Sequence, residues 1–173
     1  MRVVAGEAGG RPLIAPEGTN TRPTSDRVRE SIFNMLFSLG ATEGSHVVDL
    51  YAGSGALGIE ALSRGAASCT FVEQDRNAVA VIQENLSVLG LDDRATVVQA
   101  DVLVWLERQS AEAQPFDLAL IDPPYADEPW EALFDCVNAT FVVAESRSPI
   151  AEHQLWDVLR DKKYGATLSL IHI

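Results

Sequence analysis

The sequence predicts an α/β fold, a mostly parallel sheet with helices on both faces. Three observations carry that prediction. From residue 46 onward, short apolar runs recur at His46–Leu50, 69–72, 95–98, Phe116–Ile121 and 140–144, starting roughly every 20–27 residues. The stretches between them, at 57–64, Arg76–Leu89, 102–109 and 130–137, read as helices. Strand, helix, strand in repetition makes βαβ units, with right-handed crossovers and ligands at the carboxyl ends of the strands. Finally, 173 residues suit one domain, and a domain of this size can bury roughly 70% of the surface its unfolded chain exposes.

Ahead of that rhythm, Arg2-Val3-Val4-Ala5 and Arg11-Pro12-Leu13-Ile14 flank a glycine-rich turn at 6–10, the pattern of a hairpin. A polar link follows at 17–20. Residues 1–20 are therefore expected to form an N-terminal β-hairpin extension, and 21–173 a single domain. Pro23-Thr24-Ser25-Asp26 is a helix-start signal, with Thr24 or Ser25 as the cap. Val28, Ile32, Met35, Leu36 and Leu39 then form one apolar helical stripe, and Gly40 and Gly44 bracket its exit. At the far end, 164–173 partly alternates and is expected to form a final antiparallel strand. There is no internal repeat or low-complexity tract.

Composition narrows the function classes. Hydrophobic residues make up 47% and charged residues 22%, as in a folded globular protein rather than a disordered one. No run of about 18 apolar residues exists, which excludes a membrane-spanning helix. Met-Arg-Val-Val-Ala-Gly has no signal-peptide core, so the expected location is the cytoplasm. Cys69 and Cys136 lack C-x-x-C spacing, which argues against a disulfide scaffold and a zinc site and for two buried free thiols. His46, His153 and His172 are scattered, so no metal is expected. Ser54 lacks the G-x-S-x-G context of a hydrolase elbow. The net charge is −12, but unevenly spread: +1 over residues 1–30, −15 over 31–159 and +2 over 160–173. An acidic body with less acidic ends leaves room for a local basic face, although net charge alone argues against nucleic acid.

The chemistry-bearing motifs fall at the ends of the expected strands. Asp49-Leu50-Tyr51-Ala52-Gly53-Ser54-Gly55-Ala56-Leu57-Gly58 satisfies G-x-G-x-x-G, where glycines permit a tight turn and close approach of a ligand. Glu73 follows Gly53 by 20 residues, the place of a carboxylate that accepts from ribose hydroxyls. Asp101 ends the third strand and could meet an adenine amine. These features suit an adenosine-bearing cofactor and leave both NAD and S-adenosylmethionine open. The fourth strand runs into Asp122-Pro123-Pro124-Tyr125. Its two prolines stiffen the turn. Asp122 and the Pro123 carbonyl are both acceptors, able to hold the two hydrogens of an exocyclic NH₂, while Tyr125 offers a face for stacking a base. Holding those hydrogens favours a pyramidal nitrogen that attacks a methyl sulfonium in line, by positioning and electrostatics without a covalent enzyme intermediate. Trp105, Trp130 and Trp156 fit core or edge positions, and Trp130, five residues after Tyr125, is a further candidate to line a base pocket.

Taken together, 49–58, Glu73, Asp101 and 122–125 resemble the successive motifs of class I S-adenosylmethionine-dependent methyltransferases that modify base amino nitrogens. Arg2-Val3-Val4-Ala5-Gly6, Gly10-Arg11-Pro12-Leu13 and the block from Arg22 to Asn34 resemble the RsmD family, and the likeness spans essentially the whole chain. The resemblance implies a Rossmann-like sheet of seven strands with the last antiparallel, behind the N-terminal hairpin. It implies methylation of guanine N2 in 16S rRNA (guanine 966 in the RNA's own numbering) within an assembling small ribosomal subunit. By position, Asp49, Tyr51, Gly53 and Gly55 would shape the methionine pocket, and Glu73 would hold the ribose with Gln74 beside the adenine. Asp101 and the Val102 backbone would read adenine, while Asp122, Pro123 and Tyr125 would orient the guanine amine. Arg11, Arg22, Arg27 and Arg29 would grip RNA. The protein is expected to act as a monomer. One departure stands out: the family's hairpin is usually richer in Lys and Arg, whereas here Glu7 sits in the turn and Arg11 is its one nearby base.

Other readings compete. An NAD-dependent oxidoreductase fits G-x-G-x-x-G and Glu73 but lacks a hydride-transfer acid in the fourth-strand motif. The same cofactor could serve DNA adenine N6 or a protein glutamine amide, which the block from Arg22 to Asn34 disfavours. A binding module without activity would not need an intact 122–125 motif.

Overall fold

The computed structural model describes residues 1–16, 25–109, 114–124, 129–146, 148–164 and 167–172. The helices are α1 (Asp26–Ser38), α2 (Ala56–Ser63), α3 (Arg76–Leu89), α4 (Val102–Glu107) and α5 (Trp130–Cys136). The strands are β1 (His46–Leu50), β2 (Ser68–Glu73), β3 (Ala95–Gln99), β4 (Phe116–Ile121), β5 (Ala139–Ser146), β6 (Val158–Tyr164) and β7 (Thr167–His172). A short 3₁₀ turn, Asp92–Arg94, leads into β3. No helix among the described residues is long and apolar enough to cross a membrane.

The strands form one sheet in the order β3-β2-β1-β4-β5-β7-β6. Its first five members are parallel, and β7 runs antiparallel to both β5 and β6. The expected α/β architecture with a mostly parallel sheet is therefore the observed one. Strand alternation sends successive residues to opposite faces, and the core accordingly has two halves. Val47, Leu118, Leu120 and Val143 meet Ile32, Phe33 and Leu36 of α1, Ile59 and Leu62 of α2, and Ile82 and Leu86 of α3. Val48, Ala119, Ile121 and Val142 meet Val102 and Leu106 of α4, and Leu133 and Phe134 of α5. The strands that pack between these halves are continuously apolar for this reason.

Local chemistry sets the helix boundaries. Ser25 caps α1 and accepts from Val28 N–H at 3.3 Å, so the start signal resolves to Ser25; Thr24 lies outside the described residues. Asp75 caps α3 by accepting from Ala78 N–H, and Gly90 closes it in the left-handed conformation.

The two arms of the N-terminal segment pair antiparallel through the Arg2–Pro12 bridge, with Val3 N–H donating to the Arg11 carbonyl, Gly10 N–H to the Val3 carbonyl and Leu13 N–H to the Met1 carbonyl; residues 17–20 lie outside the described residues. The segment is also bound to the body of the fold. Glu60 of α2 accepts from Val4 N–H (2.7 Å) and Ala5 N–H (3.0 Å). Ser63 serves Ala5 and Ala8. Asn85 of α3 both accepts from Ile14 N–H and donates to its carbonyl. Val3 and Leu13 are buried in the first half of the core. One sequence expectation of the fold needs correction, and it concerns β6. Apolar patterning pointed to a single terminal strand; β7 is that strand, but the charged stretch before it is also a strand, at the sheet edge, where charge is tolerated and discourages edge-to-edge pairing.

Candidate active site

Four neighbouring strands deliver one carboxylate each to the same edge of the sheet. Their register sets Leu50 beside both Val72 and Ile121, and Glu73 beside Gln99. The chain therefore leaves β1, β2, β3 and β4 at one level. Asp49 lies one residue inside the end of β1, Glu73 ends β2, Asp101 caps α4 just after β3, and Asp122 follows β4.

The turn after β1 bends sharply. Tyr51, Gly53 and Gly55 all have positive φ, at 60°, 57° and 77°. Gly55 is the left-handed N-cap of α2. Gly58 answers a different demand, because a Cβ there would collide with the Phe71 ring and the Cys69 sulfur of β2. Glycine lets α2 lie directly on the sheet. Tyr51 has no such freedom, and its left-handed backbone stores strain of order 1–3 kcal/mol. Strain of this kind persists where the surrounding structure over-determines it.

Backbone N–H groups hold Asp49, Glu73 and Asp101. Asp49 is buried and accepts from Gly58 N–H at 2.8 Å. Burial pushes its carboxyl well above the usual carboxylate range; the Gly58 bond opposes this, and the charges of Asp122 and Glu73 add to it. Those two acids are thus close enough for Asp49 to feel both. The Glu73 carboxylate accepts from Gly53 N–H (2.9 Å) and Asp75 N–H (2.8 Å). An ionised carboxylate has about four lone-pair directions, so two remain for further donors. Asp101 accepts from Val104 N–H at 3.0 Å, and Val102 is buried at the start of α4. Burial and the Asp101 charge raise the Tyr51 phenol to about 12. Gln74 is exposed, and its carbonyl accepts from the Gln99 side chain. Asp122 is half-buried and Pro123 buried.

This arrangement decides between the cofactors the glycine motif left open. In dinucleotide-binding folds the pyrophosphate sits on the N–H groups opening the helix after β1. Here a protein carboxylate, Asp49, already occupies the Gly58 donor. A row of four acids repels a dianionic pyrophosphate and attracts a phosphate-free ligand that carries positive charge. S-Adenosylmethionine has a sulfonium and an ammonium group and no phosphate, so the residues fit it.

The structure gathers Asp49, Tyr51, Gly53, Gly55, Glu73, Gln74, Asp101, Val102, Asp122 and Pro123 at one edge. Tyr125 and Arg22 lie outside the described residues. Arg11 and Arg27 are exposed, and Arg11 reaches the Val88 carbonyl. Arg29 corrects the expectation of an RNA grip: its side chain is fully buried, donating to Asp26 and the Arg2 carbonyl and lying 3.7 Å from Glu60. Helical phase explains the error, since Arg29 sits between Val28 and Ile32 on the inward side of α1. Trp130 stacks on Phe134, which also meets Trp156 and His153. Trp130, Phe134 and His153 line a cavity of about 590 Å³. Sequence reasoning missed Glu60 and Asn85. Their signal was present: each is a polar residue on an otherwise apolar helical face.

Sheet order, glycine turn and acidic edge define a class I methyltransferase fold. The solved structure of yhhF from Escherichia coli shares it, with a TM-score of 0.84 and 31% identity over 99% of this chain and 96% of that one. The family model described as "Conserved hypothetical protein 95" matches residues 1–172. YlbH of Bacillus subtilis (strain 168) is 40% identical over 153 residues, covering 88% of this chain and 82% of that protein. "Ribosomal RNA small subunit methyltransferase D" of Haemophilus influenzae (strain Rd) is 33% identical over 177 residues, covering 95% and 89%. The chain belongs to this family, the RsmD family of methyltransferases.

Proposed function

We propose that this protein transfers a methyl group from S-adenosylmethionine to the exocyclic N2 amine of a guanine in small-subunit rRNA, with guanine 966 as the expected target. The observation that carries the reading is the Asp122-Pro123-Pro124 turn beside Asp49 and Glu73 at the carboxyl edge of β4. Relatives named for methylation of small-subunit rRNA support the acceptor.

Glu73 accepts from the ribose hydroxyls with its two remaining lone-pair directions. Asp101 and the Val102 backbone meet the adenine, with Gln74 beside it. Asp49 keeps the glycine turn in shape through Gly58 and faces the cationic end of the cofactor. When bound, the cofactor supplies an electrophilic methyl whose C–S bond breaks with its electron pair left on sulfur. Asp122 and the Pro123 carbonyl accept the two N2 hydrogens and turn the nitrogen lone pair toward that methyl. As the N–C bond forms, N2 loses a proton, and Asp122 is the acceptor at that nitrogen. The role of Tyr125, stacking the base, rests on the resemblance.

Labelled S-adenosylmethionine, incubated with small subunits lacking this methyl group, tests the reading. Free 16S rRNA, duplex DNA and the Asp122→Ala variant run alongside. Label in subunits or rRNA, reduced about 100-fold or more in the variant, supports it. Label confined to DNA or to protein overturns it.

A further inference from the structure

The charged tail that sequence patterning left without a role is β6. It carries Arg160, Lys162 and Lys163 against one carboxylate, Asp161, and all four are exposed. In a chain of net charge −12 such a cluster is unusual, and its position is more informative than its charge. Ile121 of β4 pairs with Ala144 of β5. β7 returns with Ser169 opposite Glu145 and Leu168 opposite Ser146. β6 reverses again, with Lys162 opposite Ser169 and Lys163 opposite Leu168. Lys162 and Lys163 therefore stand level with the carboxyl end of β5, on the same sheet edge from which Asp122 emerges. Three strand spacings, roughly 14 Å, separate β4 from β6.

Helix α1 extends this face. Lys162 Nζ donates to Ser31 Oγ at 3.2 Å. Arg27 is exposed one turn before Ser31, on the same side of the helix. Arg160, two residues from Lys162, points to the same face of the strand.

We infer that Arg160 and Lys162, together with Arg27, form a strip that contacts phosphates of the RNA backbone flanking the target nucleotide. Lys163, one residue on, points to the other face of the strand. The inference rests on the rRNA reading above and supplies the basic surface that the N-terminal arm lacks. Edge-strand charges also guard a sheet against pairing with another chain. That role alone predicts no change in RNA affinity when they become neutral polar residues.

The test measures binding to undermethylated small subunits across a salt series, and KM and kcat for methyl transfer, with the Arg27→Gln/Arg160→Gln double variant. Lys162 is left in place because it ties β6 to α1. Loss of two phosphate contacts lowers the slope of log K against log salt by about 1.4, at about 0.7 per contact on a single strand. The KM for subunits rises about tenfold, with kcat and cofactor affinity unchanged. Arg108→Gln, which removes an exposed charge at the end of α4, leaves slope and KM unchanged. Active wild type with an unaltered double variant overturns the strip alone, as does an equal effect of Arg108→Gln. Wild type that neither binds nor methylates subunits overturns the substrate reading and the strip with it.

Discussion

Asp49 carries much of the strain of the site, because its carboxylate is buried beside two other acids. Its folded pKa lies above the ordinary 3.8, so its ionisation opposes folding. The favourable state is the protonated one, complete below the unfolded value and lost as pH rises through the raised folded value. Asp49→Asn keeps an acceptor for Gly58 N–H while removing the charge. The variant is expected to gain stability relative to wild type as pH rises from the acid range toward neutrality, as measured by urea unfolding at a series of pH values. Its cofactor affinity falls in return. Glu73→Ala removes the carboxylate acceptor from the proposed ribose site and is expected to weaken S-adenosylmethionine binding about 10- to 100-fold, read by calorimetry. Most of this site was legible at the level of residues. Gly53, Glu73, Asp101 and Asp122 each follow an apolar run, and strand ends are where α/β sheets bind ligands. The reach of Asp49 back to Gly58 was not legible, because it depends on how the turn folds over the strand. Nor was the inward turn of Arg29, because an arginine on a helix reads as exposed until its buried partner is known.

At the scale of elements, α2 and α3 do two jobs. Their amino ends face the site, and their polar side chains hold the N-terminal arm. Glu60 is fully buried and joins Val4, Ala5, Arg29 and Arg64. Asn85 joins Ile14 to the Ser54 carbonyl in the glycine turn. The arm is thus registered against the cofactor turn through one carboxamide. Glu60→Ala removes the buried carboxylate that Val4, Ala5, Arg29 and Arg64 share and is expected to cost about 3–5 kcal/mol. Asn85→Ala is expected to cost about 1–3 kcal/mol and to speed amide exchange at Val3, Val4, Ala5 and Ile14 while leaving β1 and β4 protected. Hydrogen exchange separates the two responses. The central strands and helices could be read from apolar period alone, since each helix packs a single stripe into one half of the core and each central strand a full apolar run between the two. The docking of the arm could not, because it depends on long-range bonds to α2 and α3 in addition to the pairing of its two halves. β6 was invisible to the same reading, since an edge strand needs no apolar pattern when its partner supplies the hydrogen bonds.

For the molecule as a whole, charge has been sorted by location. Acids line the sheet edge where a cationic cofactor fits, and β6 carries a local excess of bases. Net charge of −12 therefore says little about the face that meets RNA. The central claim is that this sorting serves methyl transfer to a guanine amine. Its most direct test is the identity of the methylated nucleoside. Undermethylated small subunits, treated with the protein and labelled S-adenosylmethionine, are digested to nucleosides and resolved by chromatography with mass spectrometry. The account predicts label in N2-methylguanosine, absent from the Asp122→Ala reaction. Label in N6-methyladenosine or in the protein fraction, with none in guanosine, would contradict it.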